Sequence, residues 1–219
     1  MQTIRAQSLH FRYKVRIKFE TGKYDDALLQ LVHTQDYQKF KGAGFNAQLK
    51  AITALYGESG LQKVIAASSD EFKEYTRKKV LENEWIPDRV GAEGLSVADK
   101  ILGKGDQTLI RKLGYMIAKD NLSGIYKAFI KLTTIESLLK RADVVWKKYY
   151  SEGYIDIITQ EPKHYIFEIV NYQPYPSTCI ALLGWLDTFL EVYKLKGTAT
   201  HIECKNRGDK RCIFEMTWK

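Results

Sequence analysis

The sequence predicts an α+β fold, a helical layer packed on an antiparallel sheet and closed by a C-terminal β-β-α-β-β unit. Three observations predict it. Helix-spaced apolar residues run from about residue 45 to residue 150. After Gly153 the period drops to two, in paired short runs joined by turn sequences. Between those pairs, Ser177 to Leu195 is an apolar run too long for a strand.

Taken in order, Phe11, Tyr13, Val15, Ile17 and Phe19 share one face of an alternating strand. Arg12, Lys14, Arg16 and Lys18 share the other face. Such a basic face either guards an edge strand against aggregation or forms an anion-binding stripe. A short helix over Ala27–Val32 follows, and residues 1–40 are expected to form an N-terminal extension to a domain over 41–219. Lys41-Gly42-Ala43-Gly44 reads as a flexible break. Helices are expected over 45–56 and 60–67, separated by Gly57 and Gly60. Ser69 can cap a further helix reaching Glu82, and Trp85-Ile86-Pro87 interrupts the series. Helices over 93–102, 107–119, 121–132 and 134–150 are punctuated by Gly103, Gly105, Gly114 and Gly124. Tyr154–Thr159 and His164–Tyr172 form a hairpin around Glu161-Pro162-Lys163. Pro174 and Pro176 lead into the long helix, and Gly197 closes it. Thr198–Cys204 and Arg211–Trp218 form a second hairpin around Asn206-Arg207-Gly208-Asp209.

Composition narrows the function classes. The 219 residues are 45% hydrophobic and 27% charged, which excludes a disordered chain. No apolar run is long enough to span a bilayer, and the charged N-terminus lacks the apolar centre of a signal peptide. A cytoplasmic location is expected. The net charge of +8 lies in the first two thirds, with residues 151–219 at −1. A basic excess can recruit nucleic acid, yet no recognition motif accompanies it, so a nucleic-acid partner is not expected. There is no phosphate-binding glycine loop, dinucleotide fingerprint, nucleophile elbow or H-E-x-x-H, so no enzyme chemistry is assigned. The three cysteines, Cys179, Cys204 and Cys212, all fall in the last 41 residues. They are too few for a disulfide scaffold.

The chain from Lys41 to Trp218 resembles a bacterial family of small-molecule-binding proteins related to vinyl-reductase-like domains. These sit in the wider group containing haem-nitric-oxide/oxygen-binding domains and TRAPP vesicle-tethering subunits. The resemblance rests on ordered features: Trp85-Ile86-Pro87, then Lys112-Leu113-Gly114 with Ala118, then Trp146-Lys147-Lys148-Tyr149-Tyr150 before Gly153. Cys204, Gly208, Cys212, Phe214 and Trp218 complete it. Phenol-sensing relatives hold zinc with three cysteines and a carboxylate, which implies zinc at Cys179, Cys204 and Cys212. A C-x7-C hairpin can bring two thiolates together, and a helix N-terminus favours the thiolate of Cys179. The fourth ligand is open among His201, Glu203 and Asp209. His201 stands where the relatives place their carboxylate, but a regular strand puts residues 201 and 204 on opposite faces, so a bulge is required. The alternatives are a Cys204–Cys212 disulfide or three buried apolar thiols. The haem-binding branch uses a proximal histidine and a Tyr-x-Ser-x-Arg motif. No such motif is present, and none of His10, His33, His164 and His201 sits on a strongly apolar helix face, so haem is not expected.

What the resemblance implies is a non-enzymatic sensor domain for a small apolar or aromatic molecule. It would act in signalling through an effector protein and is expected as a homodimer. Trp85, Tyr115, Phe129, Trp146, Tyr150, Phe167, Trp185 and Phe189 could line such a pocket, and are equally what an ordinary core would use. The alternatives are a TRAPP-like assembly module with no small ligand and an accessory factor in tetrapyrrole metabolism.

Overall fold

The computed structural model describes residues 37–122 and 133–219. The described residues belong to one compact unit, Gln35–Lys219. The stripe of Arg12, Lys14, Arg16 and Lys18, the helix expected over 121–132 past its first residues, and Phe129 lie outside the described residues.

Strand β1 (Lys39–Lys41) pairs antiparallel with β2 (Trp85–Pro87), in register Phe40 to Ile86. No periodicity announces this two-stranded sheet, because three residues cannot show a period. The helical part comprises α1 (Gly42–Ala67), α2 (Asp70–Arg77), α3 (Asp88–Leu102) and α4 (Thr108–Asn121). Helix α1 begins at Gly42, so Lys41–Gly44 is a helix start and not a break. A Cβ on Gly42 would collide with the Leu81 carbonyl, and that close approach is what the glycine permits. The expected interruption inside α1 is real, since Gly57 adopts φ 70 and ψ 177. Ser69 caps α2 by accepting from the Phe72 amide at 3.2 Å.

The helix expected over 134–150 is two helices, α5 (Ile135–Leu139) and α6 (Ala142–Tyr149). Strands β3 (Tyr154–Glu161) and β4 (His164–Val170) are followed by α7 (Pro176–Val192) and then by β5 (Gly197–Glu203) and β6 (Ile213–Trp218). The C-terminal β-β-α-β-β order is as the pattern predicts. The four long strands form an antiparallel sheet in the order β3-β4-β6-β5. Gly197 does not close α7 but opens β5. The left-handed residue past the helix end is Lys194, at φ 55.

Helix α7 lies between the sheet and the other helices. On the sheet side it buries Cys179, Leu183, Leu186, Phe189 and Leu190 against Tyr165, Phe167, Phe214 and Met216. On the other side Ala181 joins the core of α1, α3 and α4, among Ile52, Val64, Leu95 and Leu113. A third cluster, Phe40, Phe45, Phe72, Val80, Ile86 and Val90, ties the two-stranded sheet to α2 and α3. The α4–α7 crossing is backbone to backbone. A Cβ on Gly114 would meet the Ala181 carbonyl, and one on Gly184 the Arg111 carbonyl. Gly114 is therefore a contact point inside a helix and not a boundary. Arg111 secures the crossing with a bidentate ion pair to Asp187 (2.6 and 2.7 Å) and a 3.1 Å bond to the Ala199 carbonyl of β5.

Candidate functional site

The described residues hold two features that an inert core does not need, and α7 contributes to both. The first is a cluster at the α7 N-terminus. Cys179 sits in the opening turns of α7, while Cys204 and Cys212 flank the β5–β6 turn. A short 3₁₀ turn over Lys205–Arg207 ends on Gly208 at φ 94, which returns the chain. The register of β5 against β6 slips between His201 and Glu203. That slip is a bulge, and it brings Cys204 back to the inner sheet face beside His201. One ligand atom each from Cys179, His201, Cys204 and Cys212 then lies within 4.8 Å of the others.

The other two candidate fourth donors are engaged elsewhere. Asp209 accepts from the Cys204 amide at 2.7 Å, and Glu203 pairs with Arg211 at 3.3 Å. His201 is different: its ring stacks on Phe214 at 4.0 Å, and both nitrogens are buried with no hydrogen-bond partner among the described residues. A buried imidazole with two unsatisfied nitrogens is costly. The three thiols are free and buried, so no disulfide joins them. The Cys212 thiol is pushed down, first by its pairing with Cys179 and then by the neighbouring His201 ring, and the Lys205 amide points at its sulfur at 3.4 Å. Cys179 is pushed up by the same pairing and by burial.

The second feature is a cavity of about 130 Å³ between α7 and the sheet on one side and α1, α3 and α6 on the other. Of the residues expected to line a pocket, Trp146, Tyr150, Phe167, Trp185 and Phe189 do so. Trp146 stacks on Tyr150 at 4.1 Å, and Trp185 meets Tyr149 edge to face at 5.3 Å. Two expected residues are elsewhere. Trp85 is 38% exposed on β2, with the Lys41 ammonium 3.6 Å from its ring centre. Tyr115 points away from the cavity and donates to Glu191 across the α4–α7 surface. A lone aromatic on a short strand, or one beside Lys119, carries no periodic signal that separates it from a core ring.

Sequence reasoning missed Phe40, Gln48, Asp88, Tyr149 and Tyr165 in the lining. Asp88 matters most. It opens α3 yet is almost fully buried, and Tyr172 donates to it. Burial pushes its carboxyl up to about 6, against the opposing effect of the Tyr172 hydrogen bond. In the sequence an acid after Pro87 looks like any solvated helix start.

These features define an α+β domain with an interlayer cavity, and its fold is that of H-NOX domains. A structure of an H-NOX protein from S. oneidensis in the Fe(II)NO state is similar with a TM-score of 0.64 at 13% identity, covering 82% of this chain and 99% of that one. An unliganded Fe(II) H-NOX protein from K. algicida gives 0.65 at 12%, covering 82% and 96%. An oxygen-binding H-NOX domain related to soluble guanylate cyclases gives 0.61 at 15%, covering 82% and 95%. No family model and no curated protein matches the sequence. The comparisons thus lend no support to the narrower likeness to vinyl-reductase-like or TRAPP domains.

They also correct the cofactor expectation. Zinc with haem set aside is contradicted, because the fold is shared with proteins whose structures are recorded with Fe(II) and bound NO, CO or oxygen, and none of these neighbours speaks for zinc. Fit is then a matter of this chain's residues. His164 lies on the outer sheet face, 2.9 Å from Glu215, and His201 lies in the thiol cluster. His10 and His33 fall outside the described residues. No described histidine lines the cavity, so the described lining does not fit a histidine-ligated haem.

Proposed function

We propose that this chain is a ligand-sensing domain whose interlayer cavity takes one small, mainly apolar molecule and whose Cys179, His201, Cys204 and Cys212 hold a thiophilic divalent metal ion. The cavity carries the first part. Its lining is aromatic and aliphatic with few polar groups, as small-molecule sites are. Its volume approaches that of the apolar cavities of about 150 Å³ that admit a benzene-sized ligand. The orphaned His201 ring carries the second part: three thiols and one imidazole, all buried, match a tetrahedral S₃N donor set. The two sites share α7, which supplies Cys179 to one and Trp185 and Phe189 to the other. A ligand that moves α7 is thus felt at the β5–β6 turn, and we read that turn as the route to an effector protein. A homodimer would present two such surfaces.

The test is native mass spectrometry with elemental analysis on the purified full chain, followed by Co(II) loading and a haem titration. One metal per chain with a tetrahedral Co(II) spectrum, lost in Cys204→Ser, supports the metal centre; no bound metal, or a Co(II) spectrum that Cys204→Ser leaves unchanged, overturns it. A retained small apolar molecule supports the cavity reading. A stoichiometric haem complex with a sharp Soret band would replace it.

A further inference from the structure

Among the described residues the cavity has one carboxyl group and no base: Asp88 lines it, and no described lysine, arginine or histidine does. The Asp88 side chain has a single described partner, the Tyr172 hydroxyl, which is neutral and cannot offset its charge. Aromatic rings line the cavity with this acid. Tyr172 meets Trp146 at 5.0 Å and Tyr150 at 5.5 Å, both edge to face, and Trp146 and Tyr150 lie stacked. Phe40 pairs backbone to backbone with Tyr150, and its side chain lines the same cavity. A buried carboxylate without a counter-charge is an expensive arrangement, and a folded chain keeps one only where something compensates it. The N-terminal end of α3 supplies a partial positive field, which favours the ionised form but is no full counter-charge. Aromatic faces around one carboxylate are the elements that select a cation: the ring quadrupoles attract it and the carboxylate pairs with it.

We infer that the cavity ligand is a small organic ammonium ion, an amine with a compact apolar or aromatic body, its charge set against Asp88 in the ring of Trp146, Tyr150 and Phe40. This rests on the cavity being the ligand site. A neutral hydrocarbon of the same shape would leave Asp88 uncompensated, and an anionic ligand would be repelled by it. Burial raises the proton affinity of Asp88, and a cation bound beside it should lower that affinity.

Benzylamine and benzyl alcohol, which match in size and differ in charge, separate the possibilities. Titration calorimetry on the full chain should show benzylamine bound about tenfold or more tighter than benzyl alcohol. Asp88→Asn should abolish that preference and leave benzyl alcohol binding within about twofold. In the wild-type chain the methylene protons of bound benzylamine should shift upfield from ring currents, a readout that stands even where Asp88→Asn fails to fold. Equal affinities, a preference that survives in Asp88→Asn, or an unshifted methylene overturns the ammonium assignment and leaves the cavity reading intact. Failure of both probes to bind overturns the cavity reading, and the assignment falls with it.

Discussion

Asp88 shows how one side chain sets a measurable pH dependence. Its carboxyl titrates near 3.8 in an unfolded chain and is raised to about 6 in the fold, chiefly by burial. The folded state therefore binds the proton more tightly. The resulting stability is full below about pH 4 and is lost as pH rises through 6. A rise of that size corresponds to roughly 3 kcal/mol between those limits. Asp88→Asn keeps an acceptor for Tyr172 without the charge. It should be more stable than wild type at pH 8, with the advantage vanishing near pH 4, as urea unfolding at the two pH values will show. An advantage that does not change with pH would mean that Asp88 is not the group titrating. Tyr172→Phe leaves the acid without its donor and should cost about 1–3 kcal/mol at pH 8.

Among the elements, the α4–α7 crossing bears the most on function, because α7 links cavity and thiol cluster. It depends on two glycines, and Gly184→Val should destabilise by at least about 1–3 kcal/mol, since the Arg111 carbonyl leaves no room for a side chain. Arg111→Ala should cost about 1–2 kcal/mol by releasing Asp187 and the Ala199 carbonyl. Thermal unfolding of the two variants checks both. Periodicity located α4 and α7 but not their crossing: Gly114 looks like a break in a helix until Gly184, seventy residues away in the chain, is set against it.

For the whole molecule, the proposed metal centre would be a tether between layers. It would join the first turns of α7 to the far edge of the sheet through β5 and β6. A metal that binds only the folded chain stabilises by mass action. Removing it with a chelator at pH 7.5 should lower the melting temperature by several degrees, with Cys212→Ser or His201→Ala reproducing that loss and becoming indifferent to chelator. An unchanged melting temperature would leave the four side chains as core residues. Among the described residues no helix is long and apolar enough to cross a membrane.

Local pattern determined the type and order of the longer helices and strands and the closing hairpin. Those depend on period, capping and turn chemistry, which act over a few residues: Ser69 before α2, the Gly57 interruption, the alternation of β4. It also brought three cysteines and His201 into one short stretch. The tertiary structure decided what distance in sequence hides. The slip between His201 and Glu203 depends on β5 pairing with β6, and it puts an imidazole among thiols that strand parity would separate. The burial of Asp88 depends on Tyr172 and on a strand of three residues from the other end of the helical part, none of which leaves a periodic trace. Trp85 and Tyr115 illustrate the same limit from the other side. Their identity suits a pocket, but only the packing of layers decides which aromatic rings face a cavity and which face water.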